Sequence, residues 1–153
     1  MKTFRLASLA IAVLAAALWL PGNAIASDKS DVAALVNNAV ALFNKGDGKA
    51  WAALCAPQAP VINSPAPFQF ATCADWWSAQ VASNKKLGIS DGVVTLHSAW
   101  QLSVTGNRAY AVYPAGFDYK MKGKSMKSDG ILTIALQKTG SRWLMTGWSW
   151  AQH

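Results

Sequence analysis

The chain has 153 residues, 52% of them hydrophobic and 14% charged, with a formal net charge of +7. Its length suits one domain around a single core, and its eight Trp, with no low-complexity tract or internal repeat, exclude a disordered chain. Seven Asp and no Glu supply few carboxylates for acid–base chemistry.

At the N-terminus, Lys2 and Arg5 precede an uncharged apolar run from Leu6 to Leu20, a Pro21-Gly22 break and the small-residue pattern Ala24-Ile25-Ala26. This is the pattern of a secretory signal cleaved after residue 26, and it predicts a mature domain over 27–153 that is periplasmic or secreted. The apolar run falls short of the roughly 20 residues a membrane span needs, so no stable membrane anchor is expected after cleavage. No Cys follows the cleavage site to carry a lipid. The remainder has 12 Lys and Arg against 7 Asp, and this positive balance biases encounters toward anions without defining a function.

Val32, Leu35, Val36, Ala39, Val40, Leu42 and Phe43 recur at helical spacing, with Ser30 or Asp31 as the start and Gly46 after the last turn. Asp47 is placed to cap a short second helix through Trp51 and Leu54, ending by Pro57. Val61-Ile62 and Phe68 to Phe70 read as brief extended pieces separated by Pro65 and Pro67. Thr72-x-x-Asp75 then resembles a capping box. It opens a third helix with Cys73, Trp76, Trp77 and Val81 on one face and an end near Asn84. Cys55 and Cys73 are the only cysteines. In an oxidising compartment they predict one disulfide from the end of the second helix to the start of the third; the alternative is a reactive Cys73 thiol near a helix N-terminus.

Everything after Asp91-Gly92 reads as strand. Four alternating segments, about 93–104, 108–120, 125–137 and 142–150, are divided by the turns Gly106-Asn107, Lys122-Gly123 and Thr139-Gly140. Two-residue turns set a register in which Leu102 faces Ala111, Trp100 faces Tyr113, Leu96 faces Phe117, Tyr113 faces Leu132 and Leu136 faces Trp143. One face then collects Val94, Leu96, Trp100, Leu102, Tyr113, Phe117, Tyr119, Leu132, Ile134, Leu136, Trp143 and Met145, which marks the side the helices cover.

This order of elements, closing on Gly140-Ser141-Arg142-Trp143-Leu144-Met145 and Trp148-Ser149-Trp150, resembles the nuclear transport factor 2-like, or SnoaL-like, superfamily over nearly the whole mature chain. The resemblance implies a single-domain α+β cone, three helices on a strongly bent antiparallel sheet around a mostly apolar pocket. It spans isomerases, cyclases, dehydratases and non-catalytic binding proteins, so it does not choose an activity. The isomerase-like members carry a carboxylate general base just ahead of a proline in the first short strand. Here that stretch is Ile62-Asn63-Ser64-Pro65, and neither Asn63 nor Ser64 takes up a proton near neutral pH.

Two sets of candidate residues follow from the faces of the sheet. On the inner side Trp100, Tyr113, Phe117 and Tyr119 form an aromatic wall, Ser98, Ser128 and Ser149 add hydroxyls, and Trp77 joins from the third helix. Such a wall suits an apolar or aromatic small molecule held by a few hydrogen bonds. On the other side the register gathers His97, Asp118, Lys127 and Asp129, with Asp118 opposite Thr95 and Lys127 and diagonal to His97. That set reads either as a solvent-side charge ladder or as an acid–base pair in which Asp118 orients His97 and Lys127 stabilises an oxyanion.

The same outer face, with Ile131 beside Trp148 and Ala135 beside Leu144, is a candidate homodimer contact. Lys120, Lys122, Lys124 and Lys127 flank a hairpin without interleaved aromatics, which argues for a solvated turn and against nucleic acid. No His or Cys pair has metal-site spacing, and no glycine-rich phosphate loop calls for a cofactor. The expectation is thus an exported small-ligand-binding or accessory protein rather than an enzyme. An isomerase, cyclase or dehydratase using His97 and Asp118 is the alternative, and a homodimeric interaction module is a third.

Overall fold

The computed structural model describes residues 22–64 and 66–152; the expected signal segment lies largely outside the described residues. Three helices, α1 (Gly22–Lys45), α2 (Gly48–Ala52) and α3 (Cys73–Leu87), are followed in chain order, apart from two short strands, by the main sheet. The strands are β1 (Val61–Ile62), β2 (Gln69–Phe70), β3 (Ile89–Leu96), β4 (Gln101–Thr105), β5 (Arg108–Met121), β6 (Lys124–Thr139) and β7 (Arg142–Gln152). They form one sheet in the order β2-β1-β7-β6-β5-β3, with β4 also pairing to β5. The architecture is α+β with a curled mixed sheet.

The caps follow from local chemistry. Asp47 Oδ1 accepts from the Ala50 N–H at 3.0 Å, and Thr72 Oγ1 accepts from the Asp75 N–H at 3.1 Å while donating to the Asp75 carboxylate at 2.7 Å. Each satisfies an otherwise orphaned donor of a first helical turn. Gly88, left-handed at φ 68°, ends α3 one turn beyond the expected stop near Asn84, because Lys85, Lys86 and Leu87 are all good helix formers.

α1 begins at Gly22 rather than at Ser30 or Asp31, which are exposed positions within the helix. No breaker interrupts residues 23–29, and Asp28 ties this part to the sheet. Its carboxylate accepts from Lys138 Nζ and, at 3.4 Å, from Trp143 Nε1.

The Cys55–Cys73 disulfide is present, with a Cα–Cα distance of 6.5 Å. The segment after α2 is also stitched to β7, where Met145 N–H donates to Leu54 O at 2.9 Å and Ala56 N–H donates to Met145 O at 2.8 Å.

The sheet corrects the expected register in three places. First, β1 runs parallel to β7, pairing Val61 with Trp148 and Ile62 with Ser149, so the sheet is mixed rather than wholly antiparallel. Second, 93–104 is not one strand. Leu102 faces Ala111 as expected, but Leu96 faces Ala115 and Phe117 faces Val94, because the chain leaves the ladder between His97 and Trp100. The cause is Pro114. His97 N–H donates to Pro114 O at 2.9 Å, and the proline, which has no N–H on that edge, cannot return the bond. Third, the last turn is Gly140-Ser141 rather than Thr139-Gly140, with Thr139 opposite Arg142, so Leu136 faces Met145 instead of Trp143; a bulge at Thr146 then shifts the pairing by one more residue, to Ala135 with Gly147 rather than with Leu144. Trp148 consequently lies inside, opposite Ile134, not outside beside Ile131. Tyr113 faces Leu132 as expected.

The core lies between the inner face and the helices. Ile134, Leu136 and Met145 from the sheet meet Val32 and Val36 of α1, Trp51 of α2 and Trp76 of α3.

Candidate functional site

The core is not filled to the end of the sheet. A cavity of about 300 Å³ opens between α1, α3 and the strands, at the lower end of the range for small-molecule sites. Its innermost part is aromatic: Trp51, Trp76 and Trp148 are 5%, 2% and 9% exposed. The Trp76 and Trp148 rings stand perpendicular with centroids 4.5 Å apart, and Trp51 lies 5.0 Å from Trp76. Edge-to-face pairing of this kind fixes ring positions as well as burying area.

The sheet supplies Phe117, Tyr119, Ser128, Leu132 and Trp150. Two glycines let those rings lie flat on it. A Cβ at Gly92 would sit 2.9 Å from the Phe117 ring, and one at Gly130 would collide with the Trp150 ring and sit 2.8 Å from Ala151 O. Phe117 also stacks on Tyr119, with centroids 4.8 Å apart.

The opposite wall comes from helices. Ala39, Val40 and Phe43 project from α1, while Gln80, Ser83, Asn84 and Leu87 continue the helical face that Trp76 begins. Gln80 Nε2 donates to Asn84 Oδ1 at 2.8 Å, so part of this polar edge is already paired. Asn63 and Ser64 complete the rim. The stretch that holds a base in isomerase-like proteins thus does reach the cavity, carrying an amide and a hydroxyl there. Among the described residues, no Asp, Lys, Arg or His lines the cavity.

Of the residues singled out for binding, Phe117, Tyr119 and Ser128 line the cavity, and Trp77, Ser98, Trp100 and Tyr113 do not. Trp77 packs behind the wall against Phe43 and Trp51, over a Gly48 that leaves no room for a Cβ. Tyr113 is buried deeper in the core, where loss of water pushes its phenol above the ordinary range. Ser98 and Trp100 are on the exposed detour between β3 and β4, with Trp100 67% exposed. The Pro114 break therefore removes both from the inner wall.

His97, Asp118, Lys127 and Asp129 are all exposed. Asp118 faces Lys127 as expected, but its other neighbour is Val93 and not Thr95, since Thr95 faces Gly116. His97 lies beside Pro114, four strand positions away from Asp118, or about 13 Å at the usual rise. The two are not diagonal neighbours and form no acid–base dyad.

Trp148, Trp150 and the α3 edge were missed from the sequence. The spacing of Trp76, Gln80, Ser83 and Leu87 was the signal for the helix edge, and Gly147 within a strand was the signal for the bulge that turns Trp148 inward.

No protein-family model matches this chain, and no curated protein matches it in sequence. Solved structures do. A protein of unknown function from Mycobacterium tuberculosis superposes with a TM-score of 0.73 at 12% identity, covering 89% of this chain and 78% of that one. An NTF2-like protein with a cystatin-like fold from Novosphingobium aromaticivorans gives 0.67 at 16% identity, covering 86% and 85%. A ketosteroid isomerase-like protein from Erwinia carotovora atroseptica gives 0.66 at 12% identity, covering 82% and 95%. The fold is nuclear transport factor 2-like, of the cystatin-like type. At these identities the likeness is one of fold, and activity must be argued from the site.

Proposed function

We propose that this chain is an exported, single-domain, cone-shaped protein that binds an uncharged apolar or aromatic small molecule and does no acid–base chemistry on it. The observation that carries this reading is the composition of the wall: tryptophan, phenylalanine and aliphatic side chains at depth, amides and hydroxyls at the rim, and no carboxylate, imidazole or ammonium among the described residues. A charged ligand buried there would go unpaired, which is costly, and proton abstraction would lack a base. The Cys55–Cys73 bond supports an oxidising location, and no described helix is long and apolar enough to cross a membrane.

The test is titration with N-phenyl-1-naphthylamine, a neutral probe that fluoresces when it leaves water. Saturable one-to-one enhancement is expected, together with its loss in a Ser128→Trp variant that fills the cavity and keeps the thermal transition. Binding that does not saturate, or that survives in the filled variant, would remove the proposal.

A further inference from the structure

The indole N–H groups of Trp76 and Trp148 are buried and have no hydrogen-bond acceptor among the described residues. Both residues are more than nine-tenths buried, both line the cavity, and one comes from α3 and the other from β7. An indole nitrogen is a donor only, and a buried donor left without an acceptor is unfavourable by more than a made bond is favourable. Neighbouring rings offer partial relief. The perpendicular contact of these two rings, at 4.5 Å between centroids, brings the edge of one ring to the face of the other. An N–H facing a π surface is a weak contact, however, and within the pair it serves one ring and not both. Trp51, edge-to-face to Trp148 at 5.6 Å and 5.0 Å from Trp76, adds only contacts of the same weak kind, so an oxygen acceptor for these donors has to come from whatever occupies the cavity.

From this we infer that Trp76 and Trp148 form a donor subsite at the inner end of the cavity, which selects a neutral ring compound bearing an oxygen acceptor such as a carbonyl. The inference rests on the binding reading above and specifies its ligand. The acceptor is uncharged because the lining has no cation to compensate an oxyanion. The rest of the molecule is aromatic or alicyclic because Phe117, Trp150 and Leu132 make the sheet wall of the cavity mostly apolar. A water held by the two donors in the free protein is compatible with this, since a ligand oxygen can take over its bonds.

Three probes of nearly the same shape separate the possibilities: 2-acetylnaphthalene, 2-isopropylnaphthalene and 2-naphthoate. Their affinities are measured at pH 7 for the disulfide-bonded protein and for Trp148→Phe and Trp76→Phe, which keep an aromatic ring and delete the donor. The ketone is expected to weaken about five- to tenfold in each variant, the hydrocarbon less than about twofold, and the carboxylate is expected to bind worst to the unaltered protein. If the variants fail to fold, the indole ¹H–¹⁵N signals of the unaltered protein decide. Those of Trp76 and Trp148 move downfield with the ketone and not with the hydrocarbon.

Equal weakening of ketone and hydrocarbon, or no ketone-specific indole shift, overturns the donor subsite while leaving the binding pocket in place. Tightest binding of the naphthoate overturns the neutral-acceptor assignment. Failure of all three probes to bind removes the pocket reading itself.

Discussion

Asn44, near the C-terminal end of α1, holds both backbone groups of Val94: its Nδ2 donates to Val94 O at 2.9 Å and its Oδ1 accepts from Val94 N–H at 2.8 Å. β3 is an outermost strand of the sheet, so these groups would otherwise form part of an open edge. The amide thus takes the place of a neighbouring strand, and it anchors the helix that supplies one wall of the cavity to the strand that supplies another. Replacing it with alanine should lower stability by about 1 kcal/mol in urea denaturation, since water can solvate part of what is lost. Asn44→Asp, which keeps the acceptor but sets a carboxylate oxygen against Val94 O, should lose at least as much as the alanine variant.

Replacing both Cys55 and Cys73 by Ser should cost about 3 kcal/mol, the loop-closure value for a span of this length in the chain-entropy account. Chemical denaturation of the double variant checks it. Two thiols open to alkylation in native, unreduced protein would contradict the bond.

The Asp28–Lys138 pair predicts a pH response. The hydrogen bond from Lys138 is the main cause holding the Asp28 carboxyl below the ordinary value, with Trp143 and the charge of Lys138 acting in the same direction. A carboxyl with a depressed folded-state pKa adds stability above its unfolded value, about 3.9, and loses it as pH falls through the folded value. Thermal stability of the unaltered protein should therefore drop more steeply below about pH 4 than that of Asp28→Asn, and the two curves should run parallel above about pH 5.

His97→Ala and Asp118→Asn should each leave stability within about 0.5 kcal/mol and probe affinity unchanged, because both side chains are exposed and neither lines the cavity. Loss of binding in either would return the outer face to consideration.

Gly130→Ala should push the Trp150 ring off the sheet, with a cost on the order of 1–3 kcal/mol and a weaker grip on any cavity ligand. Calorimetry and the naphthylamine titration measure the two effects separately.

What could be read from the sequence was what local chemistry controls. The caps at Asp47 and Thr72, the short strands before α3 and the turns at Gly106-Asn107 and Lys122-Gly123 depend on residues a few positions apart, and they stand where turn and cap preferences put them; the third turn falls one residue later than expected, at Gly140-Ser141, and the disulfide was legible because the chain has only two cysteines. The inner wall was only partly legible because its composition depends on register across strands, and register is shifted by single residues. Pro114 cuts one strand into β3 and β4 and carries Ser98 and Trp100 out of the wall. The Thr146 bulge carries Trp148 into it. Both devices leave a mark, a proline inside an alternating segment and a glycine inside another, but strict alternation reads straight through them. The parallel pairing of β1 with β7 left no local mark, since it joins segments far apart in the chain.

The four rings of Trp51, Trp76, Trp77 and Trp148 form a chain of contacts with centroid separations from 4.5 to 6.0 Å. Chromophores that close do not absorb and emit independently: their transition dipoles couple, and excitation of one is shared among all. The arrangement that shapes the inner end of the cavity is therefore also an optical antenna, in which a molecule touching one indole alters the emission and the near-ultraviolet dichroism of the set. An occupant of the cavity would thus be readable in the protein's own spectrum, without a label.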